Sequence, residues 1–300
     1  MVDKNRVQAY LPKGAGALTN EVGTAPGIMV KYQGKTIVCM PGVPYEMKKM
    51  FDDSVLPIFD GAEKVVVSKK LRCFGAGEST VAENLGDLME RGRNPLINCT
   101  VDESVITLHI VATATSRKEA KSMIAEDESC IRGILGPIIY GSDNETLSTA
   151  VGKLLIEKKK TVAVAESCTG GLVAKMLTDT SGCSEYFTYG WVTYSNEAKA
   201  SQLGVDSDLI NQHGAVSECI AAKMAAGARK KAGSNVGIGI TGIAGPTGST
   251  EHKPLGLVYI GIDIDGKSVV RKYVFPHNRE KVRLRAALTA LDLLRLRLQD

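Results

Sequence analysis

From Lys64 to the last residue, short runs rich in Val, Ile and Thr alternate with longer stretches of helical spacing, and this alternation constrains the fold more than any other feature of the chain. Strands followed by helices predict a sheet with helices packed against it, because an amphipathic helix can bury its apolar stripe only on a neighbouring layer. Lys64–Phe74, Pro95–Thr100, Ser104–Ala114 and Ile138–Tyr140 read as strands, with Ser79–Arg91 and Ser116–Leu135 as helices between them. The second helix opens on Ser116-Arg117-Lys118-Glu119, the spacing of a capping box. Gly141-Ser142-Asp143-Asn144 is a polar break. Beyond it Leu147–Lys158, Leu172–Leu177 and Glu280–Leu298 read as helices, and Thr161–Ala165, Val236–Ile240 and Leu257–Asp263 as strands. Gly204, Gly214 and Gly233 mark turns. Ahead of Lys64 lie the apolar runs Ile28–Tyr32 and Thr36–Met40, joined by Gln33-Gly34-Lys35, and a helix Tyr45–Phe51 entered through Pro44, with Pro57 and Gly61 punctuating its end. That segment is too short for a substantial core of its own. The chain is therefore expected to divide into 1–62, 63–142 and 143–300.

Composition removes several function classes. Lys+Arg 37 against Asp+Glu 33 leaves a net charge of +4, too slight to argue for nucleic acid. No apolar run approaches the roughly 18 residues of a membrane helix, and the polar N-terminus lacks a signal-peptide core, so no membrane association is expected. The seven cysteines are odd in number and never fall into C-x-x-C spacing. That argues against a disulfide framework or a zinc knuckle and for a cytoplasmic protein. Four scattered histidines make a metal site improbable.

The segment Ala165-Glu166-Ser167-Cys168-Thr169-Gly170-Gly171 lies between an apolar strand and a helix. A serine there is presented at the C-terminal end of the strand, where open α/β sheets bind ligands. Amides at the helix start would favour a phosphate or an oxyanion. A plain capped helix with a tight glycine turn accounts for the same residues. Trp191–Lys199 is a strand-like run ending in polar residues, and Ile240–Gly248 is a second strand with a glycine-rich loop; two such loops can converge on one crevice. A nucleophilic Ser167 needs a base. His109 sits inside an apolar strand; His213, His252 and His277 lie in loops. Lysine becomes a base when desolvation lowers its pKa, which leaves Lys199 and Lys175 open, with Lys175 expected to face solvent. Arg279 suits phosphate or carboxylate, but it and Arg283, Arg285, Arg295 and Arg297 equally fit an exposed charged face of the last helix. Cys168 is a rival nucleophile beside Ser167.

These residues resemble a known family. Ala165–Gly171, Gly190–Lys199 (GWVTYSNEAK), His213–Glu218 (HGAVSE) and Thr241–Pro246 (TGIAGP) followed by Glu251–Gly256 closely resemble the C-terminal domain of CinA, the competence/damage-inducible protein. The middle segment resembles the KH-like α/β domain of long CinA proteins. Leu11–Ala15, Asn20–Gly27 and Met40–Lys48 resemble the last part of their molybdopterin-binding-like domain, with its first hundred or so residues missing. The implied fold is α/β: a helix-covered C-terminal sheet preceded by a small KH-like α/β domain and a partial molybdopterin-binding-like segment. The implied activity is hydrolysis of the carboxamide of nicotinamide mononucleotide to nicotinate mononucleotide and ammonia, with no cofactor and no metal. The resemblance puts Ser167 in the position of the nucleophile and Lys199 in that of its base. Tyr194, Thr241 and Arg279 match positions linked to catalysis or substrate contact. Substrate contact is further expected from Cys168, Thr169, Gly170, Gly171, Asn196, Gly242 and Gly245, with the Thr241 hydroxyl as an oxyanion donor. A homodimer is expected, with the KH-like segment in a structural or dimerisation role.

Two other readings remain. A pyrophosphatase activity of the N-terminal segment is opposed by its missing half. A competence-associated nucleic-acid factor is opposed by Phe74-Gly75-Ala76-Gly77-Glu78, whose glycine spacing and adjacent acid do not suit backbone binding by a KH module.

Overall fold

The computed structural model describes residues 10–59 and 64–300. Gly61 and the expected boundary at 62/63 lie outside the described residues. The chain falls into two units, residues 1–65 and 66–300.

In the first unit, β1 (Gly16–Leu18), β2 (Gly27–Tyr32) and β3 (Lys35–Cys39) form an antiparallel sheet in that order. Gln33 and Gly34 both take left-handed φ, 47° and 72°, giving the two-residue turn whose twist suits a hairpin. Lys35, expected in the turn, already belongs to β3. Helix α1 (Pro44–Met50) starts on its proline, where a missing N–H costs no hydrogen bond. The buried apolar cluster consists of Leu18, Met50 and Val55, small as the segment's length predicts.

The second unit holds two sheets. β4 (Val65–Cys73), α2 (Glu78–Leu85), β5 (Leu96–Asp102), β6 (Val105–Ala114), α3 (Arg117–Leu135) and β7 (Ile139–Ser142) form a sheet of order β5-β6-β4-β7 with the helices against it. Ser116 caps α3 by accepting from the Glu119 amide at 3.2 Å. Glu119 completes no box with Ser116; its carboxylate accepts from the amide and hydroxyl of Thr115 instead.

The larger sheet follows α4 (Leu147–Glu157). Its elements run β8 (Val162–Glu166), α5 (Leu172–Thr178), β9 (Phe187–Val192), α6 (Asn196–Leu203), α7 (Ser207–His213), α8 (Glu218–Ala232), β10 (Val236–Gly242), β11 (Leu257–Ile264), β12 (Lys267–Val274) and α9 (Arg279–Gln299). The strand order is β12-β11-β10-β8-β9. β8 is parallel to both β9 and β10, while β11 is antiparallel to β10 and β12. Apolar residues of α4, α5 and α9 pack on one face of the sheet, and those of α6, α7 and α8 on the other. This is the α/β class predicted, with helices on both faces. β9, α6, α7, α8 and β12 are the elements that the spacing alone left undivided. Gly239 of β10 permits the close approach of α8: a Cβ there would lie 2.5 Å from the Ala221 carbonyl. Among the described residues no helix is long and apolar enough to cross a membrane.

The path from β8 to β9 on one side and then to β10 on the other makes the C-terminal ends of β8 and β10 a switch point of the sheet. A crevice opens where the connections diverge, and ligands of open α/β sheets bind there.

Of the arginines of α9, Arg279 is exposed, as one expectation had it, but Arg283, Arg285 and Arg297 are half-buried and Arg295 is buried. Arg295 is 2% exposed and donates to Asp292 Oδ1 and, at 2.6 Å, to the Pro137 carbonyl. Arg285 lies 5.1 Å above the Phe74 ring, a cation–π geometry. Both contacts join α9 to the smaller sheet, which explains why a helix with this much charge is largely buried.

Candidate active site

Every residue of β8 is buried, and the strand delivers Ser167 to the switch point. The Ser167 amide donates to the Ile240 carbonyl at 3.0 Å, carrying the β8–β10 ladder one residue past Glu166. The chain then reverses through Gly170 and Gly171, with φ of 64° and 92°, a left-handed conformation that disfavours side chains. Ser167 is 8% exposed and Lys199, in the second turn of α6, is 1% exposed.

Lys199 Nζ lies 3.3 Å from Ser167 Oγ, 2.9 Å from the Thr193 carbonyl and 3.3 Å from the Tyr194 carbonyl. A neutral amine has two N–H donors and one lone pair. With the donors on the two carbonyls, the lone pair is left for the serine hydroxyl. Burial pushes the Lys199 pKa below its ordinary value, favouring that neutral form. Lys175, the other lysine considered, is exposed and paired with Asp179 one turn away.

The remaining expected residues divide into those the structure brings to the pair and those it commits elsewhere. Arg279 Nη2 donates to the Tyr194 hydroxyl at 3.1 Å and Nη1 to the Gly245 carbonyl at 2.9 Å, so it ties the β9–α6 link to the loop after β10. Its guanidinium has five donors, which leaves some for a ligand. Asn196 is exposed in the first turn of α6, ahead of Lys199. Thr241 corrects an expectation: its hydroxyl donates to the Ala215 carbonyl at 2.8 Å, so the proton is engaged with the Gly214–Ser217 turn and is not free for an oxyanion. Gly242 is required by packing, since a Cβ there would lie 2.6 Å from the Leu257 carbonyl.

The amides after Ser167 also need correction. Gly171 donates to Glu166 Oε2 at 3.0 Å, and the Gly170 amide donates to the Ser167 carbonyl at 3.1 Å, so neither points to a ligand. Among the described residues, the Cys168 and Thr169 amides donate to no backbone carbonyl. They are the pair left to face negative charge. The Cys168 thiol is buried, and desolvation pushes its pKa up to about 12, which removes it as a rival nucleophile at neutral pH.

His109 Nε2 lies 3.0 Å from Thr100 Oγ1 across β5 and β6, a structural contact. His213 is exposed, and its carbonyl accepts from Lys253. Three functional candidates were not read from the sequence. Glu166 is fully buried, and its carboxylate accepts from the amides of Gly171, Val173 and Ala174. Arg283 donates to the Thr169 carbonyl. The Thr193 hydroxyl is buried without a partner, as is that of Thr169. Arg283 had a usable signal, because it follows Arg279 by four residues and so shares its helix face.

The fold is of the α/β class, a helix-covered sheet whose switch point places the Ser167 hydroxyl beside the buried Lys199 amine. The chain belongs to the CinA family. Residues 144–298 match the CinA C-terminal domain, 68–141 the KH domain of damage-inducible protein CinA, and 4–61 a probable molybdopterin binding domain. A putative competence-damage inducible protein of Clostridium beijerinckii is 43% identical over 296 residues, covering 98% of this chain and 72% of that protein. A CinA-like protein of Kosmotoga olearia is 44% identical with the same coverage, 98% and 72%. Among solved structures, a competence-damaged protein (CinA) superfamily protein from Klebsiella pneumoniae is 33% identical with a TM-score of 0.50, covering 51% of this chain and 96% of its own. A competence/damage inducible protein from Agrobacterium tumefaciens is 36% identical, also at 0.50, covering 51% and 94%.

Proposed function

We propose that this chain hydrolyses the carboxamide of nicotinamide mononucleotide, giving nicotinate mononucleotide and ammonia. The observation that carries the reading is the buried Lys199 amine 3.3 Å from the Ser167 hydroxyl at the mouth of the sheet. Neutral Lys199 takes the Ser167 proton as Oγ attacks the carboxamide carbon. The amides of Cys168 and Thr169 receive the oxyanion. Lys199 returns its proton to the leaving nitrogen, the C–N bond breaks, and ammonia departs. Water, deprotonated by the same amine, then attacks the acyl-serine and releases the carboxylic acid. The free donors of Arg279 suit the phosphate of the substrate. A homodimer and a cytoplasmic location accompany this reading.

Ammonia release from nicotinamide mononucleotide by the purified chain tests it directly. Turnover is expected to rise with pH as Lys199 loses its proton and to level off once the amine is neutral. Because burial lowers the Lys199 pKa, the inflection should fall below the lysine reference of about 10.4. A wild-type chain that releases no ammonia while binding single-stranded DNA in a salt-sensitive manner would instead favour the nucleic-acid reading.

A further inference from the structure

The turn after Ser167 is gripped from outside by Arg283, which stands one helical turn after Arg279. Its Nη2 and Nε donate to the Thr169 carbonyl at 2.8 and 3.3 Å. The adjoining Gly170 makes room for it, since a Cβ there would lie 3.2 Å from Nη2. The Thr169 carbonyl and the Gly170 amide are two ends of one peptide unit, and that amide donates to the Ser167 carbonyl at 3.1 Å. The Ser167 carbonyl in turn shares its peptide unit with the Cys168 amide. Two peptide units are thus hydrogen-bonded head to tail, with a guanidinium at one end and the free Cys168 N–H at the other. Dipoles in series polarise one another, by about 10–30% per bond, and a cation at the carbonyl end strengthens the donor at the far end.

A second observation gives this chain a purpose. The positive end of a helix after such a turn ordinarily supplies potential for a developing anion, but α5 has surrendered its first amides to Glu166. A carboxylate now sits where the dipole would act. Positive potential at the Cys168 amide then comes from nearby cations: Lys199 and Arg279 act at Cys168 itself, and Arg283, bound to the far end of the two peptides, pairs with no carboxylate among the described residues.

We infer that Arg283 is a positioning residue that charges the oxyanion site through the Thr169–Gly170 and Ser167–Cys168 peptides. The inference rests on Ser167 being the nucleophile of the proposed amidase. It concerns the transition state, so its loss should lower kcat and leave KM nearly unchanged.

The experiment compares Arg283→Lys, which keeps the charge, with Arg283→Gln, which keeps a donor and loses the charge. Lys281→Met, an exposed cation on the same helix, is the control. Two rates are read on the full chain: ammonia release from nicotinamide mononucleotide, and labelling of Ser167 by phenylmethanesulfonyl fluoride, followed by intact mass. In the labelling step the Ser167 Oγ–S bond forms, the S–F bond breaks, fluoride leaves and the hydroxyl proton goes to Lys199. Arg283→Gln should lower kcat and the labelling rate about tenfold, a fraction of the 10²–10³ seen when an oxyanion donor is removed outright. KM should stay within about twofold, Arg283→Lys within about threefold of wild type, and Lys281→Met unchanged. A loss confined to KM would make Arg283 a substrate ligand and overturn the inference. So would equal losses in the Lys and Gln variants, or no loss in either. If wild type labels at Ser167 but releases no ammonia, the substrate assignment fails and the labelling rates still decide the role of Arg283. If Ser167 does not label and no ammonia is released, both fall.

Discussion

Replacing Lys199 with Met is expected to reduce ammonia release by about 10³-fold or more while leaving the fold intact. Activity and stability should part company here because the amine is costly to the fold. Its side chain is almost wholly buried, and burial lowers its pKa, so the charged form is disfavoured in the folded state. Met supplies similar volume without charge. Against that gain stand the Thr193 and Tyr194 carbonyls, which lose their donor. The two effects offset, and the variant should stay within about 1–2 kcal/mol of wild type. The sign of the pH dependence is fixed. A folded-state lysine pKa below the unfolded one means that the unfolded chain binds more protons between the two values, so wild-type stability rises with pH across that window. Any stability advantage of Met is therefore largest at acid and neutral pH and fades as pH approaches about 10.4. Ser167→Ala should cost a similar factor in rate, and the double variant no more than either single one, because the two groups act as a unit. Urea unfolding at two pH values and ammonia release on the three variants check these outcomes. A Lys199→Met variant that unfolds in the absence of denaturant, or retains more than a tenth of wild-type turnover, would refute the assigned role.

The serine was legible because a continuous apolar strand followed by a double-glycine turn has few structural alternatives. Its partner was not legible from pattern alone. Lys199 reaches Ser167 because the chain stops being a strand at Val192 and becomes a helix at Asn196, placing the amine one turn into α6. Within Trp191–Lys199 no proline or glycine announces that change; the signal is only Ser195, whose hydroxyl caps the helix. The resemblance to CinA, not the spacing, singled Lys199 out. Helix α8 is hidden in the sequence for another reason: it packs on Gly237 and Gly239 of β10 through Ala221 and Ala225, and such small residues give little apolar contrast between faces. In β12 the exposed residues of an edge strand mask the alternation. The arginines of α9 show the limit of reading charge as exposure. Two packed layers enclose that helix, and tertiary contacts with Phe74, Pro137 and Thr169 decide where its guanidinium groups go. Glu166 carries no signal of burial in the sequence, because a carboxylate closing an apolar strand looks like the start of solvent.

Removing that carboxylate is the substitution expected to damage the fold most. Glu166→Ala should destabilise the protein by about 3–5 kcal/mol in urea unfolding, because it takes the acceptor from three amides at once. The side chain makes three hydrogen bonds: Oε2 accepts from Gly171 and Val173 at 3.0 and 3.1 Å, and Oε1 from Ala174 at 2.9 Å. Alanine leaves those amides at the start of α5 without an acceptor, that of Val173 buried and those of Gly171 and Ala174 half-buried, and each such group costs about 1–3 kcal/mol. Glu166→Gln separates shape from charge. Its one carbonyl can still accept from Gly171 and Val173, but its NH₂ then faces the Ala174 N–H, donor against donor. A loss of about 1–3 kcal/mol is expected, intermediate between wild type and alanine. The same substitution should alter catalysis in the direction opposite to Arg283→Gln. With the negative charge gone, the α5 dipole again adds positive potential beside the oxyanion site, so the folded fraction of Glu166→Gln should retain or exceed wild-type kcat. Equal stabilities for the glutamine and alanine variants would show that charge, rather than the count of satisfied amides, sets the cost.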